Sequence, residues 1–133
     1  MTWRRAAREQ ALKVLYSVVI GDREPREAVA EVVGEATETA QRDFVEELAI
    51  GTLEYADQAD RIVGPLLEGW TIERLPTIDR ILLQMATFEL RCRPETPPAV
   101  AINEAVALAK RFSTEDSGRF VNGVLSAVAH AAP

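Results

Sequence analysis

Apolar residues recur at spacings of three and four along almost the whole chain, and no run alternates at period two. A pattern of that kind predicts an all-α protein, because a strand needs alternating faces and a helix needs one continuous stripe. In the first segment Ala7, Ala11, Val14, Leu15, Val18 and Val19 fall on one stripe, and Gly21-Asp22 ends it. A short second helix follows Pro25, with Ala28, Val29, Val32 and Val33 apolar and Gly34 near its end. A third is expected from about Ala40 to Ala56, on Phe44, Val45, Leu48 and Leu53. A fourth is expected over Asp57–Glu68, with Ile62, Val63, Leu66 and Leu67, and with a kink or late start at Gly64-Pro65. Trp70 to Leu75 reads as a connector or a single turn.

The fifth helix, from about Pro76 to Arg91, is apolar nearly all round, which suits a central, buried position. Three prolines within residues 94–98 then forbid continuation. The sixth runs from Pro98 or Ala99 to about Phe112. Ser113-Thr114 followed by Glu115-Asp116 signals the start of a seventh, which carries Phe120, Val121, Val124, Leu125 and Val128 to about Ala131. The expectation is about seven helices joined by short connections in one domain, residues 1–133. A chain near this length buries roughly two-thirds of its unfolded surface, enough for a core without metals or disulfides.

Charge is distributed unevenly. The chain carries a formal −6, yet residues 21–60 hold twelve acids against three bases, a net −9, and the remainder a net +3. The first thirteen residues contain Arg4, Arg5, Arg8 and Lys13 against Glu9 alone. Thirteen of the fifteen bases are arginine, whose planar fork matches phosphate and stacks on bases. Screening makes charge local over roughly 8–10 Å, so an acidic protein can still present a basic face.

A single cysteine, Cys92, excludes an internal disulfide framework. The opening MTWRRAAREQ lacks an apolar signal region, and no stretch approaches the ~20 apolar residues of a membrane span. These features predict a soluble, cytoplasmic protein. Catalytic chemistry is poorly supplied. Cys92 and His130 have no orienting acid implied, one cysteine and one histidine make no metal cluster, and no glycine-rich phosphate loop is present. No enzyme activity, metal or cofactor is expected.

Residues 76–128 bring the sequence into resemblance with a known family: PTIDRILLQMATFEL, then TPPAVAINEAVALAKRFSTEDSGRFVNGVLSAV. With RRAAREQALKVLYS at the start, the chain resembles the NusB family of bacterial transcription antitermination factors over nearly its whole length. The middle, residues 21–70, matches only in helical pattern and length. The resemblance implies a compact all-α fold of two packed helical subdomains. It also implies binding to boxA RNA of ribosomal RNA operons with the small-subunit ribosomal protein that doubles as NusE, and read-through of terminators by RNA polymerase. The same helical domain occurs fused to ribosomal RNA cytosine methyltransferases. Here only eight residues follow Leu125, which favours the stand-alone factor.

Carried over residue by residue, the resemblance implies an RNA surface. Arg4, Arg5 and Arg8 match the basic opening of the first helix, and Tyr16 its tyrosine. Asp79 and Arg80 match the pair that opens the fifth. Asp116, Phe120 and Asn122 match the start of the last, with Arg119 at a more variable place. One departure stands out. Gln84 occupies a position where many members carry arginine, so an ion pair from that position is not expected.

Each residue also has a plainer reading. Three arginines at a helix start oppose the helix dipole, which a polyanion would relieve, though a solubilising terminus would look the same. Tyr16 either stacks an unpaired base or completes the apolar stripe. Phe120 is a base platform or core. Asp79 and Asp116 accept from base amino groups, or serve as a helix-start charge and an N-cap respectively. Asn122 meets a base edge or caps a neighbouring helix. Asn103 and Glu104 are structural, and Trp3 and Trp70 are anchors or core. A different reading of the whole chain is a helical adaptor that binds only protein, its acidic block facing a basic partner.

Overall fold

The computed structural model describes residues 2–131, so Met1 and residues 132–133, the ends of the expected domain, lie outside the described residues. The elements are α1 (Thr2–Gly21), α2 (Pro25–Val33), α3 (Thr39–Val63), α4 (Thr77–Cys92), α5 (Pro98–Phe112) and α6 (Glu115–His130). Two short 3₁₀ turns, Gly64–Leu66 and Ile72–Arg74, lie between α3 and α4. None of the described helices is long and apolar enough to cross a membrane.

The expected third and fourth helices are a single helix, α3. The segment Leu53–Arg61 contains neither glycine nor proline, and every residue in it tolerates helix, so nothing stops propagation at Ala56. The buried stripe carries on through Thr52, Ala59 and Val63. Termination comes at Gly64-Pro65, where the proline ring and its missing N–H favour a tighter turn over continued α-helix. Leu66 and Leu67, expected in helix, end up half-buried around that turn.

The chain divides into two compact units, Met1–Glu54 and Tyr55–Pro133. In the first, α1 packs on α2 and on the N-terminal half of α3. Its core contains Ala7, Ala11, Leu12, Val14, Leu15, Ala28, Val29, Val45 and Leu48. Each leucine withdrawn from water stabilises by roughly 1.5–3 kcal/mol. Val19 departs from expectation: it is 52% exposed, and Leu12 is the buried member of the stripe instead. Trp3 meets Phe44 edge-on at 5.6 Å, and the Gln41 amide donates to Gln10 at 2.8 Å. All three bases of the acidic block are engaged nearby. Arg23 pairs with Glu31, Arg26 with Glu46, and Arg42 donates to the Gly34 carbonyl. Asp22 closes α1 in the left-handed region (φ 54°), a conformation aspartate tolerates better than most residues.

In the second unit α4, α5 and α6 pack against one another, and the turn at Gly64–Leu66 rests on α6. The helix α4 is the expected buried one: Ile81, Leu82, Leu83, Met85 and Ala86 are all within the core. Tyr55, at the start of this unit, lies 6.0 Å from Phe88 in a tilted ring contact. Burial, reinforced by the adjacent Cys92 thiol and partly opposed by Arg91, raises its phenol above the ordinary tyrosine value. Asp60 accepts from both Arg80 Nη2 and Gln84 Nε2, each at 2.9 Å. Gln84 thus serves as a neutral donor to Asp60 where the resemblance implied an arginine. Where α6 passes α5, a Cβ added at Gly118 would lie 2.6 Å from Cγ of Lys110. The Lys110 stem lies across the space that a side chain at 118 would fill.

Candidate nucleic-acid interface

Two groups of the expected site residues fall in different units. In the first unit, α1 opens with no acidic residue in its first turn. Arg4 and Arg5 are exposed there, the Arg4 guanidinium 4.6 Å from the Trp3 ring centroid. Cations at this end face the positive pole of the helix, an arrangement that does not stabilise it.

Arg8 is different. It is 3% exposed, and its guanidinium sits 5.3 Å from the Phe44 ring centroid. The sequence placed it with Arg4 and Arg5 on a phosphate-facing surface. Helical geometry puts it one turn from Leu12 and two from Leu15, on the buried stripe, where it cannot meet solvent-borne phosphate without leaving its site. We therefore remove Arg8 from the surface contacts. Tyr16 is 43% exposed, with Val19 and Ile20 exposed on the following turn, so it is not sealed into the stripe.

The second unit builds a pocket from the start of α4, the start of α6 and the loop before α4. Thr114 caps α6: its Oγ1 accepts from the Ser117 backbone N–H at 2.9 Å. The cap belongs to Thr114, which leaves Asp116 free of that role; Asp116, in the first turn, pairs with Arg119 in the open. The Ser117 hydroxyl, within reach of Thr114 and Ser113, donates to Oδ2 of Asp79 at 2.9 Å. Asp79 is 3% exposed, and its other oxygen, Oδ1, has no hydrogen-bond partner although it is buried. An unmatched buried acceptor of this kind costs roughly 1–3 kcal/mol.

Asp79, Thr114, Asp116, Ser117 and Phe120 border one cavity of about 290 Å³, completed by Trp70, Leu75 and Pro76. Three of the expected residues, Asp79, Asp116 and Phe120, are thus brought together. Arg80 turns instead to Asp60, Arg119 holds Asp116, and Asn122 is exposed outside the cavity lining. Phe120 is half-buried, one face of the pocket rather than pure core.

Trp70 is the lining residue whose role sequence reasoning left undecided. It is 53% exposed, in a loop that follows Gly69, whose φ of +75° a side chain would strain. No periodicity points at a loop residue. The available signal was a glycine immediately before a large aromatic in a segment without helical pattern.

Among the described residues there is no group of three or more histidine, cysteine, aspartate or glutamate side chains able to hold a metal ion. The arrangement offers exposed arginines in one unit, and in the other a mostly apolar pocket bordered by Asp79 and Asp116. Those are the elements of attraction and of discrimination in nucleic-acid binding.

Comparison with known proteins points the same way. The NusB family model matches residues 5–130. The transcription antitermination protein NusB of Bacillus cereus (strain B4264) is 40% identical over 124 residues, covering 92% of this chain and 94% of that protein. The structure of Thermotoga maritima NusB superposes with a TM-score of 0.90 at 32% identity, over 98% of this chain and 93% of that one. A chain in the crystal structure of antitermination factors NusB and NusE in complex with double-stranded RNA gives 0.90 at 30% identity, over 99% of each. The chain belongs to the NusB family.

Proposed function

We propose that this protein is a transcription antitermination factor. It binds boxA-type RNA of ribosomal RNA operons together with the ribosomal protein NusE, and within the elongation complex it promotes read-through by RNA polymerase. The observation that carries the reading is the family match over residues 5–130, supported by a structural neighbour crystallised with NusE and RNA. In this reading residues 1–133 act as one functional domain with a binding rather than a catalytic task. Arg4 and Arg5 attract phosphate, and Tyr16 offers a ring. Asp79, Asp116, Arg119, Phe120 and Asn122 contribute contacts around the start of α6, while Arg80 acts through Asp60. Arg8 holds the helix that carries the arginines.

The test is a fluorescence-anisotropy titration of boxA-like and scrambled RNA, single-stranded and duplex, with and without the ribosomal protein, at several salt concentrations. Tighter binding of the boxA sequence, strengthened by the ribosomal protein, is expected. Equal and negligible binding of both sequences with the partner present would leave the protein-only adaptor, whose basis is the acidic block.

A further inference from the structure

We propose that Asp60 is a specificity-determining residue: it holds the Arg80 guanidinium in an internal ion pair and so restrains that cation from binding RNA without regard to sequence. The inference rests on the RNA-binding reading above and adds to it a residue of α3 that the expected RNA surface did not include.

The geometry of the pair carries the argument. Asp60 Oδ2 accepts from Arg80 Nη2, and Asp60 Oδ1 from Gln84 Nε2, each at 2.9 Å. Both carboxylate oxygens are engaged, and of the two donors only Arg80 carries charge. The Gln84 amide therefore fixes the carboxylate without competing for its charge. The Asp60 side chain is 21% exposed and that of Arg80 36%, so water screens this pair less than the open Asp116–Arg119 pair.

A carboxylate offers a guanidinium the same planar pair of anionic acceptors that a phosphate does. An RNA phosphate drawn to Arg80 has either to displace Asp60, stranding a half-buried carboxylate, or to approach it, against like charge. Near the start of α4, Arg80 follows Asp79 and pairs with Asp60, so two carboxylates accompany one guanidinium. At the start of α1, Arg4 and Arg5 stand exposed on a first turn without acid. Phosphate contacts favour every sequence alike, whereas base contacts discriminate. Cancelling a cation inside the second unit lowers affinity for wrong sequences and leaves the choice to the bases.

The experiment titrates boxA-like and scrambled single-stranded RNA against the whole protein, with the ribosomal protein present, at several salt concentrations. For Asp60→Asn, which keeps the side-chain shape and an acceptor, scrambled RNA is expected to bind about fivefold tighter, with a log–log salt slope steeper by about 0.7, one added phosphate contact. A scrambled strand settles in whatever register meets the freed cation. The boxA strand is held in one register by its bases, so its affinity is expected to rise by less than about twofold and discrimination to fall. Asp57→Asn, at an exposed position of the same helix, removes the same charge without releasing Arg80. It is expected to change either affinity by less than about twofold. In Asp60→Asn/Arg80→Gln both affinities should return to within about twofold of wild type, because the pair removed as a unit has no net charge. The double variant also decides the matter if Asp60→Asn alone fails to fold, since it leaves neither charge unmatched. The proposal is overturned by an equal gain in Asp57→Asn, by a gain that persists without Arg80 or that boxA-like RNA shares in full, or by unchanged or weaker binding of scrambled RNA to folded Asp60→Asn. A loss of about tenfold in the double variant overturns it too, since Arg80 would then be a phosphate contact of the wild type. Each of these results leaves the RNA-binding reading intact, and absence of any RNA binding by the wild type overturns both.

Discussion

The helices α1 and α6 begin in opposite ways. The last helix follows the rules for a stable start: Thr114 caps it, Glu115 and Asp116 occupy its first turn, and the dipole and the side chains agree. The first helix violates them, with Arg4 and Arg5 exposed where negative charge would be favourable and no acid in the first turn. Stability explains the α6 start without reference to a ligand. It does not explain the α1 start, and a broken local rule is where function is to be sought. The contrast extends within α1. Arg8 belongs to the fold, packed against Phe44, while Arg4 and Arg5 belong to the surface.

The largest effect should separate those arginines. Arg8→Ala is expected to destabilise the protein by on the order of 2–4 kcal/mol, read as a lower Tm or denaturation midpoint, because it empties a buried site and strips the Phe44 ring of its cation. Arg4→Ala/Arg5→Ala should leave the melting temperature at or slightly above wild type. The same pair should lower RNA affinity by about tenfold and flatten the log–log salt dependence by about 1.4, at roughly 0.7 per lost phosphate contact on a single strand. An unchanged salt slope would reduce the α1 start to a solubilising terminus. A smaller loss, about 1 kcal/mol, is expected for Thr114→Ala, with Thr114→Asp restoring most of it.

The smallest effect is a control away from both helix starts. The Tyr55 phenol is raised, so it stays neutral in the folded protein where the unfolded chain has already ionised. Its contribution is therefore complete below about pH 10 and is lost as pH climbs through the folded value. Tyr55→Phe should flatten stability in that alkaline range and leave it unchanged at neutral pH.

Much of this was legible in the residues. Helix type, the breaks at residues 94–98 and at Ser113-Thr114, and the central place of α4 all follow from periodicity and breakers. The expected break at Ala56 was not real, because a change in which residues face the core is not a stop signal; only Gly64-Pro65 supplies one. Arg8 was misplaced for a related reason. Composition grouped it with its neighbours in sequence, while the three-and-four spacing to Leu12 and Leu15 already put it inside. The pocket was less accessible. Asp79 and Phe120 came from family resemblance, but their meeting depends on the Ser117–Asp79 hydrogen bond, which spans 38 residues, and Trp70 lies in a loop where no period operates.

The Gly118–Lys110 approach makes two positions epistatic. A methyl at 118 alone collides with the lysine stem, so Gly118→Ala should be harmful in the wild type and nearly silent once Lys110 has been shortened to alanine. The cost of change at 118 then depends on which residue stands at 110.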